Sequence, residues 1–364
     1  MDLPKITKFS QVDIDSPTSL VAVAGFEDRA RAIFEEFSRR DDASLISSAT
    51  SIQYEPFNSR NNINALKKGL SSLGISDDST QSMVFDRHDP NSFESDFSDF
   101  LDSISENHVI LDVSGMSKLL IIISLQILAE KDFSVTIYYA EADKYHPRED
   151  EYTKKLQSSE DSDRTPAFLT NGIYDIVTTR GLSSALGSDQ SMVVVAFPTF
   201  NHQELMALTS ELSPAQLVSI QGSPRMEKNQ WRKESIRELN EGVESHIQVD
   251  WRETSTFNYR QTVEVLNHVY EDYSDKYRIV LAPTGSKLQT VGCHLFKYQH
   301  PDIQVVYPVT REFSETYSEG WDNTWGIVFE SLDDAIITEN EKYQQKISNL
   351  RSKIDEMNDT MDSV

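Results

Sequence analysis

The chain has 364 residues, of which 59 are acidic and 34 basic, giving a formal charge of −25 with 38% hydrophobic residues. This length suits two or three domains, and the acidic surface repels duplex nucleic acid and anionic membranes over most of its area, though it leaves room for a local basic pocket. A lone cysteine, Cys293, excludes an intrachain disulfide, the opening MDLPKITKFSQVDIDS lacks a signal-peptide core, and the most apolar stretch, Leu119–Ala129, is too short to span a bilayer.

A cytoplasmic protein is therefore expected; whether the acidity reflects a salty habitat stays open. The first apolar run, within 19–25, predicts a buried strand, followed by helical spacing through Ala30, Ile33, Phe34 and Phe37. A strand is predicted over 45–54, a helix over 63–73 and a short strand over 83–85. Phe93, Phe97, Phe100, Leu101 and Ile104 then share a helix face. Strand 109–113, helix 118–130 and strand 135–139 follow, and then a polar stretch, 141–166, read as an exposed excursion or flap. After residue 190 the order returns: strand 192–197, helix 202–212, strand 217–221, helix 228–241, strand 247–251, helix 262–273, strand 277–282, helix 287–298 and strand 303–307. Alternation of this kind argues for α/β architecture: two tandem Rossmann-like halves with mostly parallel sheets, plus a C-terminal helix.

Several anchors keep nearly one offset. Ala24 and Ala196 are 172 positions apart, while Lys118 and Lys287, like Tyr138 and Tyr307, are 169 apart. The segment at 172–180 also resembles that at 325–332. A duplication follows, with a first domain over 1–185, a second over 186–332 and an amphipathic helix over 333–364. In that tail Ile347, Leu350, Ile354 and Met357 recur at helical spacing, suited to docking on the body or to self-association or a protein partner through 340–360.

The clearest motif occurs twice. Asp112-Val113-Ser114-Gly115-Met116-Ser117-Lys118 and Thr284-Gly285-Ser286-Lys287 each end a strand and open a helix. In a parallel sheet ligands bind beyond the carboxyl ends of strands. There Gly115 and Gly285 allow close backbone approach, Ser114, Ser117, Thr284 and Ser286 offer hydroxyls or caps, and Lys118 and Lys287 add cations at helix N-termini that already favour an anion. An ordinary capped turn with a solvated lysine is the competing reading of either copy alone.

Further candidates follow other strands. Gly25, Glu27 and Arg29 open the first helix, where an arginine opposes the dipole and so calls for a partner. Arg60 and Arg225 stand in strand-end loops, apt for phosphate or base stacking. Asp112 and Arg29 are the catalytic candidates; neither has a counterpart in the second half. The sequence holds no nucleophile elbow, no Walker A loop, no dinucleotide-binding glycine fingerprint and no zinc-ligand spacing, so no metal and no cofactor is assigned.

The strand–Ser/Thr-Gly-x-Lys–helix phrase resembles the signature of CARF domains, Rossmann-like sensors of CRISPR-linked immunity; Met116 and the shorter second turn depart from it. The resemblance implies a nucleotide sensor in prokaryotic antiviral defence, with two turns facing one cyclic oligonucleotide inside a single chain, and it leaves ring-opening activity open. Two alternatives stand beside it. One is an enzyme acting on a nucleotide or phosphosugar, phosphoribosyltransferase-like or a glycosidic hydrolase. The other is an acidic scaffold recruiting a partner through its C-terminal helix.

Overall fold

The computed structural model describes residues 3–57, 61–159, 168–184, 190–242, 247–313, 317–333 and 335. Arg60 and nearly all of the expected C-terminal helix, including 340–360, lie outside the described residues. The elements run β1 (Thr7–Lys8), β2 (Thr18–Val23), α1 (Ala32–Phe37), β3 (Ile46–Glu55), α2 (Ile63–Ser72), β4 (Thr80–Asp86), α3 (Asn91–Ser103), β5 (His108–Asp112), α4 (Lys118–Glu130), β6 (Ser134–Glu141), β7 (Lys144–Tyr145), α5 (Glu149–Ser159) and β8 (Thr170–Val177). There follow β9 (Met192–Ala196), α6 (His202–Leu212), β10 (Gln216–Ser223), α7 (Trp231–Asn240), β11 (Gln248–Ser255), α8 (Tyr259–Tyr273), β12 (Arg278–Ala282), α9 (Lys287–Gln299), β13 (Gln304–Val305), β14 (Tyr307–Phe313), β15 (Ser318–Glu319) and β16 (Asn323–Phe329).

The architecture is mixed α/β with two large, mostly parallel sheets. The first has strand order β1-β16-β6-β5-β2-β3-β4 and the second β11-β10-β9-β12-β13. Their central strands are buried on both faces, as continuous apolar runs require. Val21 and Val23 point to one core while Leu20, Ala22 and Ala24 point to another. Val193 and Val195 join the first of these cores, and Val194 and Ala196 face a third. The shared core holds α3 and α4 from the first sheet and α8 and α9 from the second, and it runs without a break between the two sheets. Helix α4, KLLIIISLQILAE, explains this continuity: ten of its thirteen residues are buried, so it needs cover on nearly every side, and α9 supplies part of it. Among the described residues no helix is long and apolar enough to cross a membrane.

The structure departs from the sequence expectations in two places. The chain leaves β13 after Val306, whose N–H still donates to Leu281 O (2.9 Å), and then pairs antiparallel with β8. Reciprocally, β16 crosses back to pair antiparallel with β6 in the first sheet. The two similar segments at 172–180 and 325–332 thus contain the strands each half lends to the other, although in different registers: Tyr138 faces Gly326 whereas Tyr307 faces Val177. The second departure is the polar stretch from 141. Most residues of α5 are exposed, yet the helix is anchored, because Tyr152 is buried against Phe168, Phe200 and Trp231. A single aromatic in a charged helix carries too little periodic signal for this docking to be read in advance.

Helices α8 and α9 approach closely at Gly292, where a Cβ would stand 2.7 Å from Tyr259 O and 2.8 Å from Thr262 Cβ. Gly292→Ala is expected to lower the unfolding free energy by ~1–3 kcal/mol in urea titrations, since a backbone carbonyl must move to admit the methyl; unchanged stability would show that the helix pair separates without cost.

Candidate functional site

Both strand–turn–lysine segments stand at the carboxyl ends of their strands, at the N-termini of α4 and α9. In the first turn, Asp112 Oδ1 accepts from Ser114 N (2.9 Å), and Ser114 Oγ accepts from Ala140 N (2.9 Å), tying the turn to β6. In the second, Thr284 Oγ1 accepts from Phe197 N (3.0 Å) and donates to Phe197 O (2.8 Å), tying it to the end of β9. Ser114, Thr284 and Asp112 are all buried behind their turns.

The caps are likewise engaged. Ser117 Oγ accepts from Leu120 N (3.2 Å), and Ser117 N–H donates to the Tyr54 hydroxyl (2.6 Å), which itself donates to Gly115 O (3.3 Å). Ser286 forms a full capping box with Gln289 and donates its hydroxyl to Thr256 O (2.6 Å). Gly25 and Gly115 serve close approach: a Cβ on Gly25 would stand 3.2 Å from Gly115 Cα. Gly285 leaves room for the Gln289 side chain. With these groups bonded to protein, the two turns present charge mainly through their lysines.

Lys118 and Lys287 line one cavity of about 490 Å³. Its walls carry four cationic side chains, Lys118, Lys287, Arg87 and Arg311, against two carboxylates, Glu27 and Glu55. Tyr54, Tyr307 and Tyr317 add aromatic surface. In a chain of charge −25 this is a local reversal of sign.

Each turn lysine is faced by a carboxylate of the opposite half. Lys287 donates to Met116 O across the boundary and stands 3.8 Å from Glu27 Oε2. Burial, reinforced by the neighbouring Arg29 and Lys118 cations, outweighs the Glu27 and Asp112 carboxylates and pulls Lys287 down to about 7. For Lys118 the balance reverses: burial opposes its charge, but Tyr307, Glu204, Tyr317 and Glu27 together hold it above the ordinary lysine range. Glu204, on α6, is itself raised by burial and relieved by Lys118 and Asn201. Burial pushes Asp112 up to about 7 against its Ser114 hydrogen bonds and the attraction of Lys287 and Arg29.

The remaining candidates lie elsewhere. Arg29 is locked to Glu27 (2.7 Å) and reaches Tyr139 OH (3.5 Å); Glu27 lines the cavity and Arg29 stands behind it. Burial alone would raise Glu27, but Arg29, Lys287 and the Ser318 hydroxyl (2.6 Å) hold it below its usual value. Arg225 pairs with Glu141 (2.6 Å) and lies over Phe257 and Trp325, outside the cavity. Of the cavity residues beyond the two turns, Glu27 was among the sequence candidates, and Tyr54 and Arg87 stood in polar segments that follow predicted strands. Tyr54 and Arg87 had a signal, since each closes or follows a parallel strand. Tyr307, Arg311 and Tyr317 had none, because β14 and the segment before β15 are placed by pairing with β8 and β7, far away in the chain.

The two shifted groups give opposite pH signatures. Between about 7 and the ordinary lysine value, the unfolded chain holds a proton that folded Lys287 has released, so its cost is complete below pH 7 and fades as pH rises. Lys287→Met should therefore be most stable relative to the parent below pH 7, with the difference shrinking toward pH 10. Folded Asp112 holds a proton that the unfolded chain loses between the ordinary aspartate value and about 7, so Asp112→Asn should gain on the parent as pH rises through that window and then level off. Denaturant titrations across pH check both; flat differences would place the two groups in water-like surroundings.

No family model and no curated protein matches the sequence. Among solved structures, the chain is similar to Can2 from Sulfobacillus thermosulfidooxidans in complex with cyclic tetra-adenylate, at 14% identity and a TM-score of 0.26 over 32% of this chain and 31% of that one. It is also similar to a type III CRISPR defence DNA nuclease activated by cyclic oligoadenylate, at 11% identity and a TM-score of 0.47 over 80% and 65% of the two chains. A universal stress protein from Archaeoglobus fulgidus DSM 4304 aligns at 10% identity and a TM-score of 0.24 over 81% and 97%. The matched regions thus span 31% and 65% of the first two proteins.

Proposed function

We propose that this chain is a nucleotide-binding sensor or regulator whose ligand places phosphate against Lys118 and Lys287. The observation that carries the reading is the meeting of the two turn lysines, one from each half, in a single cationic cavity of an otherwise acidic protein. The volume falls in the range of small-ligand sites, about 300–1,000 Å³. Aromatic walls beside lysine and arginine suit a nucleotide, which offers both a π-face and phosphates. In the CARF-like form of the proposal the ligand is a cyclic oligonucleotide and the setting prokaryotic antiviral defence.

The geometry favours binding over turnover. Asp112 and Arg29, the groups best suited to chemistry by sequence, do not line the cavity. Asp112 is engaged by Ser114 and Arg29 by Glu27.

Calorimetric titration with cyclic tetra-adenylate and with linear adenine nucleotides tests the proposal. At least one is expected to bind, and Lys118→Ala and Lys287→Ala are each expected to weaken it about 10–100-fold, the scale of losing a charge-assisted hydrogen bond. Absence of binding, or equal affinity in both variants, would sink the reading. Chromatography of the incubated nucleotide should return it unchanged; conversion to a product would establish the enzymatic alternative.

A further inference from the structure

One carboxylate stands inside the cationic part of the cavity. Glu27 shares the wall with Lys118 and Lys287, and only 8% of its surface is exposed. Its Oε1 accepts from Arg29 Nη2 (2.7 Å), Arg29 Nε (3.1 Å) and the Ser318 hydroxyl (2.6 Å). Those bonds fix the side chain, and Oε2 stands 3.8 Å from Lys287 Nζ. Burial opposes the charge of Glu27, but Arg29, Lys287 and Ser318 outweigh it and hold the carboxylate ionised. Lys287 gives one of its three N–H groups to Met116 O and can donate another to a ligand. An anion bound there lies close to a fixed negative charge.

The charges around the two turns are nearly balanced. Three cations, Lys118, Lys287 and Arg29, are set against the carboxylates of Glu27 and Glu204, which leaves one positive charge over. Burial, with Arg29 and Lys118, outweighs Glu27 and draws Lys287 toward neutrality, which shrinks that surplus. The other titratable groups nearby add no positive charge. Burial keeps the Tyr54 and Tyr317 hydroxyls protonated, and Asp112 is neutral or negative. The attraction of a ligand to the surplus rises in proportion to its charge, whereas the cost of removing it from water rises with the square of the charge. A second charge on a phosphate doubles the first and about quadruples the second.

We propose that Glu27 is a specificity-determining residue, selecting phosphodiester groups, which carry one charge, against terminal phosphates, which carry about two. Nucleoside mono-, di- and triphosphates are rejected, and the internal phosphates of an oligonucleotide are accepted. The inference rests on the nucleotide reading of the same cavity and adds to it the charge state of the phosphate that the turn lysines take.

The test is calorimetric titration of the full chain with AMP and with its methyl ester, adenosine 5′-methyl phosphate. The two share base and ribose and differ by one charge above a pH of about 6, where AMP loses its second phosphate proton. At about pH 8 the parent is expected to bind the ester at least about tenfold tighter, the scale of a close like-charge contact. At about pH 5.5 most AMP carries one charge and the two affinities should approach each other. Glu27→Gln keeps an acceptor for Arg29 and Ser318 while removing the charge, and at about pH 8 it should bring the two affinities to within about threefold. The pH comparison uses the parent alone and serves if Glu27→Gln fails to fold. Equal or tighter binding of AMP by the parent at about pH 8 overturns the proposal. An ester preference that persists undiminished at about pH 5.5 also overturns it, because the methyl group and not the charge would then be read. So does a preference unchanged in folded Glu27→Gln. Each of these outcomes spares the nucleotide reading; failure of the parent to bind AMP, the ester or cyclic tetra-adenylate overturns both.

Discussion

The packing of α4 against α9 is the constraint on which the rest of this structure depends. Helix α4 is apolar on nearly every side, and a single sheet face cannot cover such a helix. The second half provides the missing cover with α9, where Leu288, Val291, Cys293, Leu295 and Phe296 join the same core. Each of the two helices starts at the carboxyl end of a parallel strand, and their pairing brings the two starts together. Lys287 can then donate to Met116 O from the other half. A hydrophobic requirement thereby determines where two charges meet.

Those charges are costly where they stand. Removing a lysine from water is unfavourable unless carboxylates or hydrogen bonds compensate. The protein answers with carboxylates from across the boundary: Glu27 beside Lys287 and Glu204 near Lys118. Compensation is incomplete at Lys287, which burial and its cationic neighbours bring toward neutrality. An anionic ligand would complete it. The cavity therefore combines an excess of cationic side chains over carboxylates with internal pairing of its buried charges.

The exchanged strands join the two parts of the chain in unequal ways. Strand β16 extends the first sheet, whereas β14 forms its own pair with β8 and walls the cavity. The same exchange ties the halves through backbone hydrogen bonds as well as through the apolar core. Arg225 adds a polar clamp, joining a loop of the second half to Glu141 at the end of β6.

Local pattern was enough to read most of the regular elements. Helices 118–130 and 202–212 were legible to the residue, because apolar spacing and turn residues act over a few positions. The same holds for the alternation that makes the fold α/β and for the repeated turn that carries the two lysines. Tertiary structure alone decided what those turns face. Asp112 and Ser114 look exposed in a turn motif, yet they are buried by β6, a strand more than twenty residues on. Arg29 looks poised for a ligand but is held by Glu27, and Arg311 looks like any strand residue but reaches the cavity through pairing with β8. Periodicity records which side of an element is apolar. Which cation meets which carboxylate, and which strand crosses to the other half, depends on contacts between residues far apart in the chain, and these leave no local signal.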